Sequence, residues 1–386
     1  MIVPGRLVET GRAVELESDG CCIGHIQALD SVPDVWIAPG FIDIQVNGYA
    51  GHDANAADVT PQTIARLVRS LWKVGVTSVC PTITTQSEAW MCRSMEAIAA
   101  ACEADPLIQH SIPCVHVEGP HISPEDGPRG AHPIEHVRPP SLAEFRRWQE
   151  ASGRRVGIVT LAPDHPGSLE YIRALAAEGV IVALGHTAAA GDQIRAAVDA
   201  GACLSTHLGN GSHATMPRHP NYIWEQLAED RLAASLIFDG HHLPPAVMKS
   251  MLRAKGMDRS ILVSDSVAVA GLAPGIHKTA VGGRVELLPS GRLTLLGTPY
   301  LAGSAAALPV GIANTIRHAG VTLAEAVRLA TANPARLLGL DRPDGRGSIR
   351  SGATADLVVF RVDAQTLELT IDLTVMAGEV VYRHEG

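Results

Sequence analysis

The sequence predicts an α/β fold: a (β/α)8 barrel of the TIM type, joined to a small β-sandwich built from both chain ends. Three observations predict it. Eight short apolar runs alternate with amphipathic helical stretches through the middle of the chain. Polar residues able to do chemistry gather at the ends of those runs, where parallel α/β folds place their sites. The two ends of the chain carry a different, period-two alternation.

The stretch VIVALGHTAAAGDQIRAAVDAGACLSTHLGN, residues 180–210, shows the barrel unit most clearly. VIVALGHT is an apolar, β-branched run ending in His186. AGDQIRAAVDAG is a short amphipathic helix closed by Gly201, and ACLSTHLGN is a second apolar run ending in His207. Strand, helix and strand make a βαβ unit with parallel strands. Both histidines therefore stand at matching ends of neighbouring strands, 21 residues apart.

The other elements follow in order. RLVET, RAVELES, CIGHIQAL and DVWIAP read as antiparallel strands, and residues 351–386 alternate in the same way, so residues 1–38 and 351–386 are expected to pair. Between them, residues 39–350 form the expected barrel. Its strand candidates are 36–48, 76–84, 113–121, 155–164, 180–187, 202–210, 233–242 and 260–268. Helical stretches such as TPQTIARLVRSLWKVG and PPAVMKSMLRAKG separate them. VGGRVELLPSGRLTLLG then reads as a β-hairpin turning at Pro289-Ser290-Gly291, and two helices close the barrel. A doubly wound sheet lacks support, because no GxGxxG turn follows an early strand.

Composition narrows the function. The chain of 386 residues is 46% hydrophobic and 18% charged, which suits a compact enzyme and excludes disorder and coiled coil. A net charge of −9 argues against a nucleic-acid partner. No apolar run reaches membrane-spanning length, and the start lacks a signal peptide's basic-then-apolar layout, so no membrane partner and a cytoplasmic location are expected. Seven cysteines without CxxC spacing read as buried cytosolic thiols, with Cys80 in the core.

Strand three ends HVEGPH and places Glu118 inside an apolar run. A carboxylate there costs several kcal/mol to desolvate unless it is paired or bound to a metal. With His186 and His207 it makes the usual ligand set of one catalytic divalent ion. No arginine stands at the neighbouring strand ends to offer Glu118 an ion pair instead. Asp265, ending strand eight in LVSDSVA, suits a general base, although SDS also permits an Asx turn. Strand seven ends DGHH; of His241 and His242, one is expected to touch substrate and the other to pack. His132 lies in the glycine-rich loop PEDGPRGAHP, where a lid residue can polarise a carbonyl. Strand one carries Gln45-Val46-Asn47 where many metal-dependent hydrolases on this barrel carry His-x-His, and strand four holds no lysine to bridge two metals. One metal is expected, with zinc foremost among zinc, iron, manganese and cobalt.

PGFIDIQVNG, HVEGPHISP with GAHP, TLAPD, GHT, STHLGN, DGHH, VSDS and LAGSA, in this order, resemble the N-acetylglucosamine-6-phosphate deacetylase family of the amidohydrolase superfamily, from about Pro39 to Gly352. The resemblance implies that Glu118, His186 and His207 hold the metal, that Asp265 is the acid/base and that His132 polarises the acetamide carbonyl. It further implies that His242 contacts substrate and that Asn210 and Gly211 meet the sugar phosphate. A homodimer is implied, with Arg218 reaching a neighbouring subunit's phosphate. One stretch departs from the family pattern: HLGNGSHATMPRHPN replaces His-x-x-Asn-Ala-Met-Pro, with SHAT before Met216-Pro217. The expected reaction is therefore hydrolysis of N-acetylglucosamine 6-phosphate to glucosamine 6-phosphate and acetate. The altered loop keeps open a deacylase of a different N-acyl amino sugar or N-acyl amino acid. A non-catalytic sugar-phosphate sensor is the reading of another class, and a purified protein without metal would favour it.

Overall fold

In a computed structural model the described residues are 1–280, 283–298 and 300–385. Val281 and Gly282, which open the expected hairpin, and Gly386, the last residue of the expected terminal sheet, lie outside them, as does Pro299.

Eight parallel strands form the centre, running in chain order from Phe41–Val46 through Val76–Thr84, Val115–Glu118, Val156–Leu161, Ile181–Leu184, Leu204–Ser205 and Ala233–Ile237 to Ser260–Val263. The eighth returns to the first through a parallel bridge between Ser266 and Val46, and the Asp265 N–H donates to the Gln45 carbonyl at 3.0 Å. This closure makes the sheet a barrel. Phe41–Val46 and Val76–Thr84 are buried along their whole lengths, as expected of strands covered by helices on one side and a filled interior on the other.

The outer helices follow their sequence signals. Helix Pro61–Trp72 begins where Thr60 accepts from the Thr63 N–H and Pro61 needs no donor, and it buries Ile64, Leu67, Val68, Leu71 and Trp72 on one face. Each such aliphatic side chain contributes about 1.5–3 kcal/mol by burial. Thr322 and Glu325 cap helix Leu323–Arg328 reciprocally.

The chain ends join in one seven-stranded sheet, ordered 379–383, 369–376, 357–362, 36–39, 2–7, 13–19 and 22–28. The sheet rolls on itself: Cys22 bridges Thr354, and Ile23 exchanges backbone bonds with Ala353 and Gly352. Its two halves enclose a separate core of Val14, Leu16, Ile37, Leu357 and Val375. The expected strand 36–48 is in fact two: Trp36–Pro39 joins the terminal sheet, and the barrel strand starts at Phe41. The sixth barrel strand is shorter than expected, because the chain turns at Thr206 to aim His207 inward. Beyond the barrel, Arg284–Leu287 and Leu293–Leu295 pair around the turn at Pro289-Ser290-Gly291. Gly275–Lys278, a strand not expected from the sequence, extends this hairpin to three strands.

Candidate active site

The ends of the barrel strands open into a cavity of about 430 Å³. Glu118, His186, His207, His132, Asp265, His242, Asn210 and Gly211 all line it. Of the residues singled out in the sequence, Arg218 stands apart: it is exposed and lies outside the wall of its own chain's cavity.

Neighbouring strands bring the central group together. Ala183 pairs with Leu204 and Leu184 with Ser205, so His186 and His207 leave equivalent positions two residues further on. His207 Nε2 lies 2.9 Å and His186 Nε2 3.3 Å from Glu118 Oε1, and the two Nε2 atoms are 3.1 Å apart. His186, His207 and Asp265 take positive φ angles of 51°, 27° and 47°. Non-glycine residues in that region carry about 1–3 kcal/mol of strain each, and such strain concentrates at functional sites.

The donor set fits a divalent ion. His186 Nδ1–H donates to the Pro128 carbonyl at 2.8 Å, which leaves a bare lone pair on Nε2, aimed at His207 and Glu118. All three ligand atoms lie within 4.8 Å of one another, and all three residues are buried. Among the described residues this is the one cluster with that arrangement. Burial opposes the ionisation of Glu118, but His186 and His207 outweigh it and hold the carboxyl well below its usual range. Burial likewise disfavours the charged form of His207, and Glu118 reverses that, raising its pKa.

Around the cluster sit residues that orient it. Gln45 Nε2 donates to Glu118 Oε1 at 2.8 Å, and Asn47 Nδ2 donates to Asp265 Oδ1 at 2.8 Å. The sequence identified this pair by the ligands it lacks; the structure gives it the task of holding two carboxylates. Asp265 is buried beside Glu118, and these two effects push its pKa up to about 6 against the pull of His207, His242 and Asn47. It makes no Asx turn of its own. His132 stands edge-on to His186 with ring centres 4.4 Å apart, and its Nδ1 is 2.8 Å from Thr85 Oγ1. Burial first, then His186, pushes His132 down to about 3, so its ring is neutral. His242 Nδ1 lies 2.8 Å from Asp239 Oδ2, and Asp239 Oδ1 accepts both the His241 and His242 N–H groups. Burial works against Asp239, but these bonds hold it at about 2.

Asn210 folds back, its side-chain amide donating to the His207 carbonyl at 3.2 Å. Gly211, at φ 55°, leaves no room for a side chain: a Cβ there would stand 2.7 Å from His186 Nδ1. His213 also lines the cavity and ties two loops together, with Nε2 3.1 Å from Glu125 and Nδ1 3.0 Å from the Tyr222 hydroxyl. Cys80 sits in the barrel core with its sulfur 3.5 Å from that of Cys114, as the sequence suggested. Sequence reasoning missed Thr85, Asp53, Asn55 and Tyr300. Thr85 follows strand two directly, and that position was its one available signal.

Comparison with known proteins agrees with this geometry. The sequence pattern described as the Amidohydrolase family matches residues 36–381. N-acetylglucosamine-6-phosphate deacetylase of Bacillus subtilis (strain 168) is 32% identical over 93% of this chain and 87% of its own length. N-acetylgalactosamine-6-phosphate deacetylase of Escherichia coli O157:H7 is 34% identical over 84% and 83%. Among solved structures, an aspartate-to-alanine mutant of N-acetyl-D-glucosamine-6-phosphate deacetylase from Mycobacterium smegmatis, in complex with N-acetyl-D-glucosamine-6-phosphate, superposes with a TM-score of 0.87 at 30% identity, covering 99% of both chains. The chain belongs to the amidohydrolase family and, within it, to the N-acetylglucosamine-6-phosphate deacetylases.

Proposed function

We propose that this protein hydrolyses the N-acetyl group of N-acetylglucosamine 6-phosphate, giving glucosamine 6-phosphate and acetate. The observation that carries the reading is the convergence of Glu118, His186 and His207 with Asp265 and His132 on one cavity. The names of the relatives supply the substrate class.

Glu118, His186 and His207 would hold one divalent ion, zinc in our reading. When bound, such an ion supplies Lewis-acid chemistry, polarising the acetamide carbonyl and acidifying water. Asp265, with its raised pKa, takes a proton from the attacking water and returns it to the departing amine, which leaves neutral. Thr85 Oγ1 holds His132 by Nδ1, and in the tautomer that carries its proton on Nε2 the neutral ring donates to the developing oxyanion. His242, fixed by Asp239, contacts the sugar, and Asn210 and Gly211 present backbone amides to its phosphate. The described cavity wall contains no lysine or arginine, so a homodimer in which Arg218 reaches the partner's phosphate suits the charge of the substrate. Seven free cysteines support a cytoplasmic protein.

The test is kcat/KM on N-acetylglucosamine with and without the 6-phosphate, using enzyme of known metal content, with N-acetylgalactosamine 6-phosphate alongside. A charge-assisted bond to phosphate is worth about 1.5–3 kcal/mol, so a preference of roughly tenfold to hundredfold is expected for the phosphorylated sugar. Equal rates on both sugars, or no acetate released with one metal bound, would redirect the search to other N-acyl substrates.

A further inference from the structure

The barrel floor carries a feature that the catalytic reading does not use. Leu329 accepts from the Leu262 N–H at 2.9 Å and Ala330 from the Ile42 N–H at 2.8 Å, so the 323–337 segment closes the starts of the eighth and first strands. A concavity of about 190 Å³ opens beside it, at the opposite end of the strands from Glu118 and Asp265. Four of the residues lining it are arginines, Arg328, Arg336, Arg346 and Arg350, in a chain whose net charge is −9.

Their partners leave positive charge over. Arg328 pairs with Asp258, and Arg346, with 13% of its side chain exposed, pairs with Asp356 at 3.2 Å. Arg336 and Arg350 meet no carboxylate among the described residues. Arg336 donates to the Asp258 carbonyl at 3.1 Å and to Asn333 Oδ1 at 2.9 Å. Arg350 donates to the carbonyls of Pro343 at 3.1 Å and Asp341 at 3.4 Å, to that of Arg342 and to the Ser348 hydroxyl. Asp341 is the one acid on the wall, and its carboxylate makes no ion pair among the described residues. Converging guanidinium groups repel one another unless an anion joins them.

Unused donors belong to residues of the same wall. Nε and Nη1 of Arg328 and Arg336 have no partner among the described residues, nor do the backbone N–H groups of Gly347 and Ser348. Gly347, at φ 84°, packs so tightly that a Cβ would stand 2.5 Å from that of Ala335, which keeps this loop against the floor. Guanidinium forks beside consecutive free backbone amides are the donors that bind a phosphoryl group.

We propose that this concavity is a second anion site, separate from the catalytic cavity, that takes inorganic phosphate or the phosphoryl group of a small phosphate monoester. The proposal does not depend on the deacetylase reading. The experiment is isothermal titration of metal-loaded protein with inorganic phosphate, comparing wild type with Arg336→Gln and with Arg328→Gln. One phosphate per chain is expected to lose affinity by about tenfold or more in each variant, the size of one charge-assisted bond. Turnover at the catalytic cavity should stay within about twofold, which excludes general unfolding. Arg328→Gln removes only a half-exposed side chain, so it keeps the test open if Arg336→Gln fails to fold. Phosphate bound equally by all three proteins, or by none below about 10 mM, overturns the site. Titration with glucosamine 6-phosphate in competition identifies the source: displacement that the two variants weaken marks the ester as ligand, and its absence marks free phosphate.

Discussion

Asn47 Nδ2 donates a 2.8 Å hydrogen bond to Asp265 Oδ1, so the end of the first barrel strand holds the carboxylate at the end of the eighth. The barrel closes at this same place, through the Val46–Ser266 bridge. Fold closure and the position of the proposed base are thus one arrangement.

The bond lowers the pKa of Asp265, which burial and Glu118 raise to about 6. As a base, Asp265 must be ionised, so activity should fall below that pH. Asn47→Ala removes a donor that favours the carboxylate, so the acid limb of kcat should move to higher pH. A hydrogen bond to an ionised carboxylate is worth about 1.5–3 kcal/mol, equivalent to about one to two pH units. A limb that stays in place would show that Asp265 does not set it.

Gln45 orients Glu118 through its 2.8 Å bond. Gln45→Leu should weaken metal binding by about 10–100-fold, the usual effect of losing a partner that orients a ligand. Competition against a chelator measures this directly. An unchanged affinity would mean that Glu118 needs no support from the first strand.

Thr85 holds His132 by Nδ1 at 2.8 Å. Thr85→Val should lower kcat by about tenfold to hundredfold with little change in KM, because the imidazole loses its fixed tautomer while the sugar contacts remain. Steady-state kinetics with both parameters resolved checks the split.

Much of this was legible in the sequence, for physical reasons. A βαβ unit fixes strand direction, so His186 and His207 had to share one barrel end, and a carboxylate within an apolar run such as HVEGPH required a partner. The supporting contacts were hidden because they join distant segments. Gln45 meets Glu118 across 73 residues and Asn47 meets Asp265 across 218, and no periodicity records such pairings. The Trp36–Pro39 break was missed for a related reason: one continuous apolar run serves two sheets, and the change of partner leaves no mark in hydrophobicity. Strand Gly275–Lys278 is mostly exposed and lacks the apolar alternation by which strands are found.

Asp239 links the site to stability. Its pKa is held at about 2, below the unfolded value, so it stabilises the fold above about pH 4, and that contribution is lost as pH falls toward 2. Asp239→Asn should therefore reduce stability at pH 7 by about 2 kcal/mol. The difference from wild type should shrink as the pH of urea denaturation is lowered through that window. A difference independent of pH would place the loss in packing instead.

The most direct test of the account is Asp265→Asn, assayed for fold, metal content and turnover together. The variant keeps the shape of the side chain and leaves Glu118, His186 and His207 untouched. It should fold normally and bind one metal per chain, while kcat on N-acetylglucosamine 6-phosphate falls by about a thousandfold or more through loss of the proton carrier. Turnover within about tenfold of wild type, with the metal in place, would contradict the assignment of Asp265 as the catalytic base.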